Sequence, residues 1–420
     1  MTIKPNIIII TIDSFNADKC FGEKALPLPN INSLIDKGVY CSNTFTSVPG
    51  TIGSLGCLFT GDYPFKSGIN IFQHHAKTEY YFEILKFFSY NMYSTLPDFI
   101  YFDEITKTFN DKDVYEGYGT LDQIGEKILK RLESKKMNNP WLYYIHLMDL
   151  HEDATGKFRT PEKFNDEKYG SSEYDRNLFS VDHWLGRIFE KINFENTIVV
   201  LTADHPHNET LFKNKKIENF IIKCKFLGPR FYNFGKKLIK LTRILSKQQK
   251  NMFILPDKQL KIPLIFAGYG INDHKIIHHI VRNIDIFPTI SDIIELPKKK
   301  NVDGRSLLPL FQGKELEEIP AYVENKKISQ DLSNDAIGVR TSNYKYYRNK
   351  NNLKSNVHLY DLTIDPNETK NIAKKEPRIV LQMEKILEEI KENSANHECS
   401  DTSDEETKKI QEELKKLGYI

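Results

Sequence analysis

Short runs of apolar residues alternate with amphipathic segments along most of the chain. Residues 7–12 are isoleucine except for one threonine, which is typical of a strand buried on both faces of a parallel sheet. Residues 141–151 and 196–205 each begin with a further apolar strand pattern, and residues 172–192 between them carry apolar side chains at helical spacing. This alternation predicts an α/β fold built on a parallel sheet.

The pattern changes in the last quarter of the chain. Residues 336–347 and 357–362 predict strands, and residues 377–392 predict an amphipathic helix. Because 420 residues exceed the length that a single core ordinarily organises, we expect a large domain over residues 1–315 and a small C-terminal α+β subdomain over residues 316–400.

Two segments stand out by their charge. An insertion at about residues 213–255 is basic, and within it residues 234–246 place apolar side chains at helical spacing opposite lysines and an arginine. One interpretation is a surface helix that covers the site; the other is weak contact with a membrane surface or a polyanionic substrate. Residues 401–420 are charge-rich and predict a solvated helix or tail, with partner binding as the alternative.

The composition narrows the classes of function. Basic and acidic residues nearly balance, at 59 and 57, so we expect no nucleic-acid partner. The five cysteines are scattered without a CxxC pair, which indicates a reducing compartment. The N-terminal apolar run is shorter than a signal sequence needs, and no segment reaches the roughly 18 apolar residues of a membrane span. We therefore expect a soluble, cytoplasmic protein, with its oligomeric state open.

Acidic residues and histidines follow three of the predicted strands. Asp13 follows the first, Asp149 and His151 follow the second, and Asp204 and His205 follow the third. Ligands of open α/β sheets bind beyond the carboxyl ends of the strands, so we expect these side chains to meet. A single aspartate after a strand is ordinarily a cap or turn residue, and His151 alone could be a hydrogen-bonded loop histidine. Three such strand ends favour a site.

Thr51 is the candidate for the reacting group. It follows a Pro-Gly turn and begins a short apolar run that predicts a helix, where free N–H groups could help to hold an anion. An ordinary N-cap threonine would use the same residue. A divalent cation held by Asp13, Thr51, Asp204 and His205 would lower the pKa of the hydroxyl. The mixed oxygen and nitrogen ligands favour zinc or manganese, with calcium or magnesium as alternatives.

The order and spacing of these motifs resemble the sulfatase family of the alkaline phosphatase superfamily over nearly the whole chain. The segments that carry the resemblance are residues 5–13, 28–38, 54–64, 174–186, 196–205, 261–268, 283–289, 303–309 and 359–366. The resemblance implies an alkaline-phosphatase-like sandwich with a large mixed, mostly parallel central sheet flanked by helices. It also implies an anionic ester substrate. We assign His151, Asp149 and Lys261 to substrate binding, and His151 also to protonation of the leaving group.

Several positions depart from the pattern of the family. Family sulfatases begin the nucleophile helix with Cys or Ser, followed by Pro two residues on and Arg four residues on; this chain has Thr51, Gly53 and Leu55 there. That pattern directs oxidation to formylglycine in the family, so no formylglycine is expected. Ser14 replaces the second acidic ligand of the first strand, and the usual Asp-His-Gly ends in Pro206.

These departures decide the predicted chemistry. An unmodified Thr51 resembles the phosphodiesterase and phosphotransferase branches of the superfamily. A formylglycine hydrate can expel sulfate through its second hydroxyl, a route that a sulfated threonine lacks, whereas a phosphorylated threonine can be attacked in line beside a metal. We therefore predict a metal-dependent hydrolase of sulfuric or phosphoric esters with Thr51 as nucleophile through a covalent intermediate, a phosphoester being favoured. A sulfate-ester hydrolase, a phospho-group transferase and a degenerate anion-binding protein are the alternatives.

Overall fold

The computed structural model of the protein describes residues 4–70, 73–134, 136–153, 156–207, 255–271, 273–325 and 335–394. Within these ranges nine strands form one mixed sheet. They are β1 (Asn6–Ile12), β2 (Gly38–Phe45), β3 (Asn91–Pro97), β4 (Asp111–Tyr115), β5 (Trp141–Leu147), β6 (Thr197–Ala203), β7 (Lys261–Ile262), β8 (Leu264–Gly268) and β9 (Lys275–Arg282). The predicted α/β fold with a large, mixed central sheet is confirmed.

The strands of this sheet run in the order β4-β3-β5-β1-β6-β8-β2-β7, and β9 pairs with β2. The five strands from β4 to β6 are mutually parallel, whereas β8 is antiparallel to both β6 and β2. Strand β1 therefore lies at the centre of a parallel block, between β5 and β6. This position explains its uninterrupted apolar sequence, because strands covered on both faces cannot expose a polar side.

Helices cover both faces of the large sheet. Ile8, Ile10 and Ile12 of β1 pack on one face against helices that follow β1 and flank β5, whereas Ile7 and Ile9 pack on the other face. The α-helices are α1 (Pro29–Asp36), α2 (Thr51–Thr60), α3 (Pro64–Ser67), α4 (Tyr81–Phe87), α5 (Ile100–Ile105), α6 (Leu121–Glu133), α7 (Glu173–Phe189), α8 (Ile286–Ile293), α9 (Leu308–Phe311) and α10 (Pro377–Ser394). Short 3-10 helices cover Ala17–Lys19, Glu162–Phe164, Glu167–Tyr169, Asp257–Gln259 and Asn283–Asp285.

The register of β1 brings three strand ends to the same edge of the sheet. Ile12 is opposite Leu147 of β5 and Ala203 of β6, and the N–H of Asp13 donates to the carbonyl of Leu147 at 2.9 Å. Residues that follow β1 and β6, and those near the end of β5, are consequently neighbours. The sheet thereby assembles the candidate site from parts of the chain that are far apart in sequence.

A second, four-stranded antiparallel sheet follows near the C-terminus. Its strands, in spatial order, are β10 (Ala321–Asn325), β11 (Ala336–Arg340), β12 (Tyr344–Asn349) and β13 (His358–Asp361). Helix α10 packs on this sheet through Met383 and Leu387, in a cluster that also contains Cys57 of α2. The N–H of Glu324 donates to the carbonyl of Ser47 at 2.8 Å. The small sheet is therefore joined to the loop before α2.

Two predicted segments lie outside the described residues: the basic insertion, apart from Leu255, and the charged tail at 401–420. The boundary near residue 315 stays a prediction, although β10 begins shortly after it, at Ala321. In the described part of the chain, Cys20, Cys41 and Cys57 are buried free thiols. Within the same residues no helix has the length and apolar character needed to span a bilayer.

Candidate active site

Helix α2 presents Thr51 to the carboxyl end of β1. Gly50 is the N-cap residue, with extended backbone and no side-chain cap, and Thr51 is the first helical residue. The Thr51 hydroxyl donates to Asp13 Oδ2 at 3.1 Å and lies 3.2 Å from His205 Nε2. The alternative of an ordinary N-cap threonine does not match this geometry, because the hydroxyl points away from the helix and towards the other predicted site residues.

Asp13 and Asp204 place two buried carboxylates side by side. Their residues are 1% and 0% exposed. Ser14 joins them: its hydroxyl donates to Asp13 Oδ1 at 2.7 Å, and its N–H donates to Asp204 Oδ1 at 3.3 Å. Ser14 has a positive φ of 61°, a conformation that is uncommon for a residue with a side chain and often marks functional sites.

His146 belongs to the site although the sequence analysis did not select it. Its Nε2 lies 3.8 Å from Asp13 Oδ2, and ligand atoms of Asp13, His146 and Asp204 all lie within 4.8 Å of one another. The Nδ1 atom lies 2.7 Å from Thr11 Oγ1, which orients Nε2 towards the carboxylates. The missed signal was a fully buried histidine inside an apolar strand, since such a polar group needs a partner.

The charges in this cluster depend on one another. Burial opposes ionisation of Asp13, yet the charges of His151, His205 and His146 hold its pKa well below the usual range. Burial and the negative charge of Asp13 raise the pKa of Asp204. Burial disfavours charged His205, but the two aspartates outweigh it and raise the pKa of this imidazole. The two neighbouring carboxylates therefore shift in opposite directions, Asp13 being held in its charged form while ionisation of Asp204 is opposed.

The residues present fit a divalent cation. Asp204 Oδ2 and His146 Nε2 are buried and have no hydrogen-bond partner among the described residues. The Nδ1 atom of His205 lies 2.9 Å from the carbonyl of Pro206; a carbonyl only accepts, so Nδ1 carries the hydrogen and Nε2 offers its lone pair. Two carboxylates, two imidazoles and the Thr51 hydroxyl could thus hold one metal ion, which would also offset the repulsion between the aspartates.

The residues assigned to substrate binding lie at different distances from this cluster. His151 is close enough for its charge to act on Asp13, and its Nδ1 contacts the carbonyl of Glu152 at 2.6 Å. Asp149 is buried, with Oδ1 accepting from the N–H of Leu121 at 2.9 Å. Lys261 donates to Asn43 Oδ1 at 2.9 Å. The structure thus brings His151 to the cluster, whereas Asp149 and Lys261 form hydrogen bonds with Leu121 and Asn43, outside it.

Leu55 shows how the altered nucleophile helix is accommodated. Its side chain is 1% exposed and packs in the apolar core between α2 and the sheet. Ser54, one residue earlier, donates its hydroxyl to the carbonyl of Asp204 at 2.5 Å and accepts from Asn283 Nδ2 at 3.2 Å. The start of α2 is consequently fixed against the end of β6 by buried hydrogen bonds.

Comparison with known proteins defines the class of this fold and site. The family model described as Sulfatase matches residues 5–296, and the model described as N-sulphoglucosamine sulphohydrolase, C-terminal, matches residues 250–395. The chain belongs to the sulfatase family, which is part of the alkaline phosphatase superfamily. The sequence prediction of a sulfatase-family ester hydrolase is confirmed.

Individual relatives are distant in sequence and cover most of the chain. Arylsulfatase K of Gallus gallus is 22% identical over 452 residues, covering 92% of this chain and 82% of that protein. The ulvan-active sulfatase of Formosa agariphila is 24% identical over 434 residues, covering 88% of this chain and 76% of that protein. Among solved structures, the phosphonate monoester hydrolase of Agrobacterium radiobacter has a TM-score of 0.68 at 14% identity. The match covers 93% of this chain and 96% of that one.

A further solved structure contains a sugar sulfate. It shows a protein in complex with its substrate D-glucosamine-2-N,6-O-disulfate, and its TM-score is 0.68 at 15% identity, covering 95% of this chain and 100% of that one. At such identities the solved structures support the fold alone.

One part of the sequence interpretation is wrong. The chain was expected to fall into a phosphodiesterase-like branch with a threonine nucleophile, but its curated relatives are arylsulfatases and a sulfatase. Arylsulfatases use formylglycine and are not phosphodiesterases. The inference failed because it rested on a few local departures, at Thr51, Gly53 and Leu55, whereas similarity extends over about nine-tenths of the chain.

Proposed function

We propose that this protein is a divalent-metal-dependent hydrolase of sulfate esters, and that the cluster around Asp13 and Asp204 is its active site. The observation that carries the proposal is the convergence of two buried carboxylates, His146 and His205 on the hydroxyl at the start of α2. Membership of the sulfatase family supports a sulfate ester as the bond that is cleaved. A solely structural cluster would leave the buried atoms Asp204 Oδ2 and His146 Nε2 without a function.

The start of α2 is the proposed binding site for the sulfate group. The first N–H groups of a helix have no partners within it and can bind an anion, and Thr51 is the first residue of α2. When a sulfate group binds, the hydroxyl can turn from Asp13, its present acceptor, and donate its hydrogen to one sulfate oxygen. Thr51 thereby orients the ester, since two fixed contacts restrict rotation of the sulfate group.

His151 is the proposed donor to the departing alcohol oxygen. Its Nδ1 faces the carbonyl of Glu152, so that nitrogen carries hydrogen, and in the doubly protonated imidazolium Nε2 carries a second proton that it can transfer. A water molecule forms the new bond to sulfur while the bond between sulfur and the ester oxygen breaks. A proton from Nε2 neutralises the departing alcohol oxygen, and the proton that the water loses passes to bulk water, so the products are sulfate and an alcohol. His205 is assigned to the cation instead, because its Nε2 faces Thr51 and the aspartates.

The cation in this proposal is zinc or manganese. His146 adds a second imidazole to the ligand set that the sequence predicted, and nitrogen donors favour these metals over calcium or magnesium. When bound, such an ion polarises the sulfate oxygens and stabilises the charge of the transition state. The residues that would hold it are Asp13, Asp204, His146, His205 and the Thr51 oxygen.

The proposed substrates are sulfated sugars, and residue 51 is proposed to stay unmodified. An ulvan-active sulfatase and a neighbour solved with a disulfated glucosamine support the substrate class. Oxidation of a threonine hydroxyl would give a ketone, because its Cβ carries a methyl group, so the aldehyde of formylglycine cannot form at Thr51.

Sulfate release decides between this proposal and its alternatives. Metal-loaded protein would be assayed with nitrophenyl sulfate and sugar sulfates, beside nitrophenyl phosphate mono- and diesters. We expect faster turnover of the sulfate esters, and a peptide around residue 51 with the mass of unmodified threonine. Turnover of phosphate esters alone, or of no ester, would contradict the proposal; a modified residue 51 would contradict its second part.

A further inference from the structure

A cavity of about 580 Å³ lies at the end of α2 that is remote from the candidate active site. Asp62, which follows α2 closely, is one of its lining residues. Thr51 is the first of the ten residues of this helix, and ten helical residues span about 15 Å. The cavity, here termed the basic cavity, is therefore separate from the cluster around Asp13.

One part of the lining of the basic cavity is apolar and exposed. It consists of Ile84, Phe87 and Phe88, in and just after α4. The side chain of Phe87 is 82% exposed. A single exposed apolar residue is ordinary, but three that border one cavity are typical of a surface that another group covers.

Another part of the lining is basic. Residues 298–300 are three consecutive lysines, and all three line the cavity. Lys299 is used within the protein, since its Nζ donates to the carbonyls of Thr60 and Glu79 at 2.6 and 2.7 Å. Lys298 and Lys300 are exposed and form no hydrogen bond or ion pair with the part of the chain that the structure describes. Their charges are therefore available to an anionic group beside the apolar lining.

Helix α10 ends next to the basic cavity. Its last residue, Ser394, donates its hydroxyl to Asp303 Oδ2 at 2.8 Å. Asp303 Oδ1 lies 3.2 Å from Nζ of Lys66, which lines the cavity. These contacts are buried, so they fix the end of α10 beside the lysines. The next part of the chain, residues 395–420, therefore starts at the edge of this surface.

The sequence of residues 395–420 is complementary to the basic cavity. Residues 395–407 contain five acidic side chains and no lysine or arginine. Apolar side chains follow at Ile410, Leu414 and Leu417, at the spacing of one helical face. The seven residues from 394 to 401 reach at most about 24 Å. The acidic residues can thus approach the lysines, and the apolar residues can approach α4.

Other occupants of the basic cavity match it less well. The insertion is itself basic, with twelve lysines and arginines and one glutamate over residues 213–250, and like charges repel. An anionic membrane would meet the exposed carboxylates of Glu79 and Glu83 beside Phe87. A segment tethered at Ser394 also has a high effective concentration at this surface.

We propose that residues 398–417 dock on the basic cavity of their own chain, with the acidic residues paired with Lys298 and Lys300 and the apolar residues covering Phe87. The charges then select the position of the segment, and the apolar contact removes an exposed aromatic ring from water. This inference is independent of the proposed sulfate-ester hydrolysis, since it involves the opposite end of α2.

Hydrogen–deuterium exchange of the full-length monomer, measured by mass spectrometry over residues 398–417, tests this contact. A synthetic peptide of the same sequence is the reference, because it accounts for any structure that the segment forms alone. We expect exchange in the wild type to be slower than in the peptide by about 10-fold or more. Lys298→Glu combined with Lys300→Glu should bring exchange to within about 2-fold of the peptide, since attraction becomes repulsion.

A charge exchange and a matched control complete the comparison. Adding Glu405→Lys and Glu406→Lys to the lysine variant should slow exchange again, because the attraction returns with its signs reversed. The control is Lys374→Glu combined with Lys375→Glu, an exposed pair at the other end of α10. This pair should leave exchange of residues 398–417 as in the wild type.

Three results would overturn the inference. They are exchange as fast in the wild type as in the peptide, protection that the lysine variant retains at an unchanged melting temperature, and protection found only in a dimer or only with anionic vesicles. If the lysine variant melts at a lower temperature, Phe87→Ser decides, because it alters an exposed side chain and leaves the charges intact. It should bring exchange of residues 410–417 to within about 2-fold of the peptide; unchanged exchange would overturn the inference.

Discussion

The hydroxyl of Thr11 lies 2.7 Å from Nδ1 of His146, one strand away in the sheet. This contact leaves Nε2 as the imidazole atom that faces Asp13. Thr11 therefore influences the proposed metal ion by orienting the ligand His146, without contacting the ion itself. Residues in this position typically contribute 10- to 100-fold to metal affinity, roughly.

Thr11→Val should weaken metal binding by about 10-fold or more while the fold persists, because valine fills nearly the same volume but cannot bond Nδ1. A competition titration against a fluorescent chelator measures the affinity. Thr95→Val is the matched control, since Thr95 is also a buried strand threonine, bonded at 2.7 Å to the hydroxyl of Tyr143. Equal affinities of the two variants would show that the Thr11 contact has no part in metal binding.

Asp204→Asn should lose most bound metal, yet should be more stable than wild-type protein without metal. The amide keeps an oxygen for the N–H groups of Ser14 and His205 and removes one of two neighbouring buried charges. In wild type, saturating metal should raise stability by about 2.7 kcal/mol at 100 times Kd.

Thermal unfolding of the metal-free and metal-loaded forms provides the measurement for Asp204→Asn, with the exposed Asp273→Asn as control. A metal-dependent rise in melting temperature that survives in Asp204→Asn would count against this aspartate as a ligand.

Asp149→Asn should change how stability depends on pH. Burial raises the folded-state pKa of Asp149 to about 7 from 3.8, so the native protein binds this proton more tightly than the unfolded chain. The wild type therefore loses stability as pH rises from about 4 to 7, and the asparagine variant lacks this contribution. Between about pH 4 and 7, the free energy of unfolding of the variant should therefore rise by up to about 4 kcal/mol relative to that of the wild type. Urea titrations at pH 4, 6 and 8 would measure both free energies. If the two proteins depend on pH in the same way, the raised pKa of Asp149 is refuted.

Lys345→Met should destabilise the protein by about 3–5 kcal/mol, because it leaves the buried Glu368 without its cation and removes one of the two cations, Lys345 and Arg340, that bond Asp257. The Lys345 side chain is 0% exposed and bonds Asp257 at 2.6 Å and Glu368 at 3.2 Å. The exposed Lys385→Met on α10 is the control. Denaturant unfolding compares the two, and a loss below 1 kcal/mol for Lys345→Met would mean that the cluster is solvated.

Much of the fold was predictable from sequence, for a physical reason. A strand covered on both faces must be apolar throughout, and this alone located β1, β5 and β6. Parallel strands of one sheet end at the same edge, so Asp13, Asp204 and His205 could be expected to meet. The resemblance added the order of the remaining elements.

The parts that sequence could not supply depend on orientation. His146 lies within a strand, where the alternation of side chains and the register with Thr11 decide which way its ring points. The choice of branch failed for another reason: a few departures at the start of α2, at Thr51, Gly53 and Leu55, were weighed against the rest of the chain.

The central claim is that the cluster of Asp13, Asp204, His146 and His205 holds a metal ion that this protein needs to hydrolyse sulfate esters. Its most direct test is sulfate release by protein stripped with a chelator and then reloaded with single metals, with bound metal quantified by mass spectrometry. The account predicts that chelation abolishes release, that zinc or manganese restores it at one ion per chain, and that Asp204→Asn is not restored. Undiminished sulfate release by the metal-free protein would contradict it.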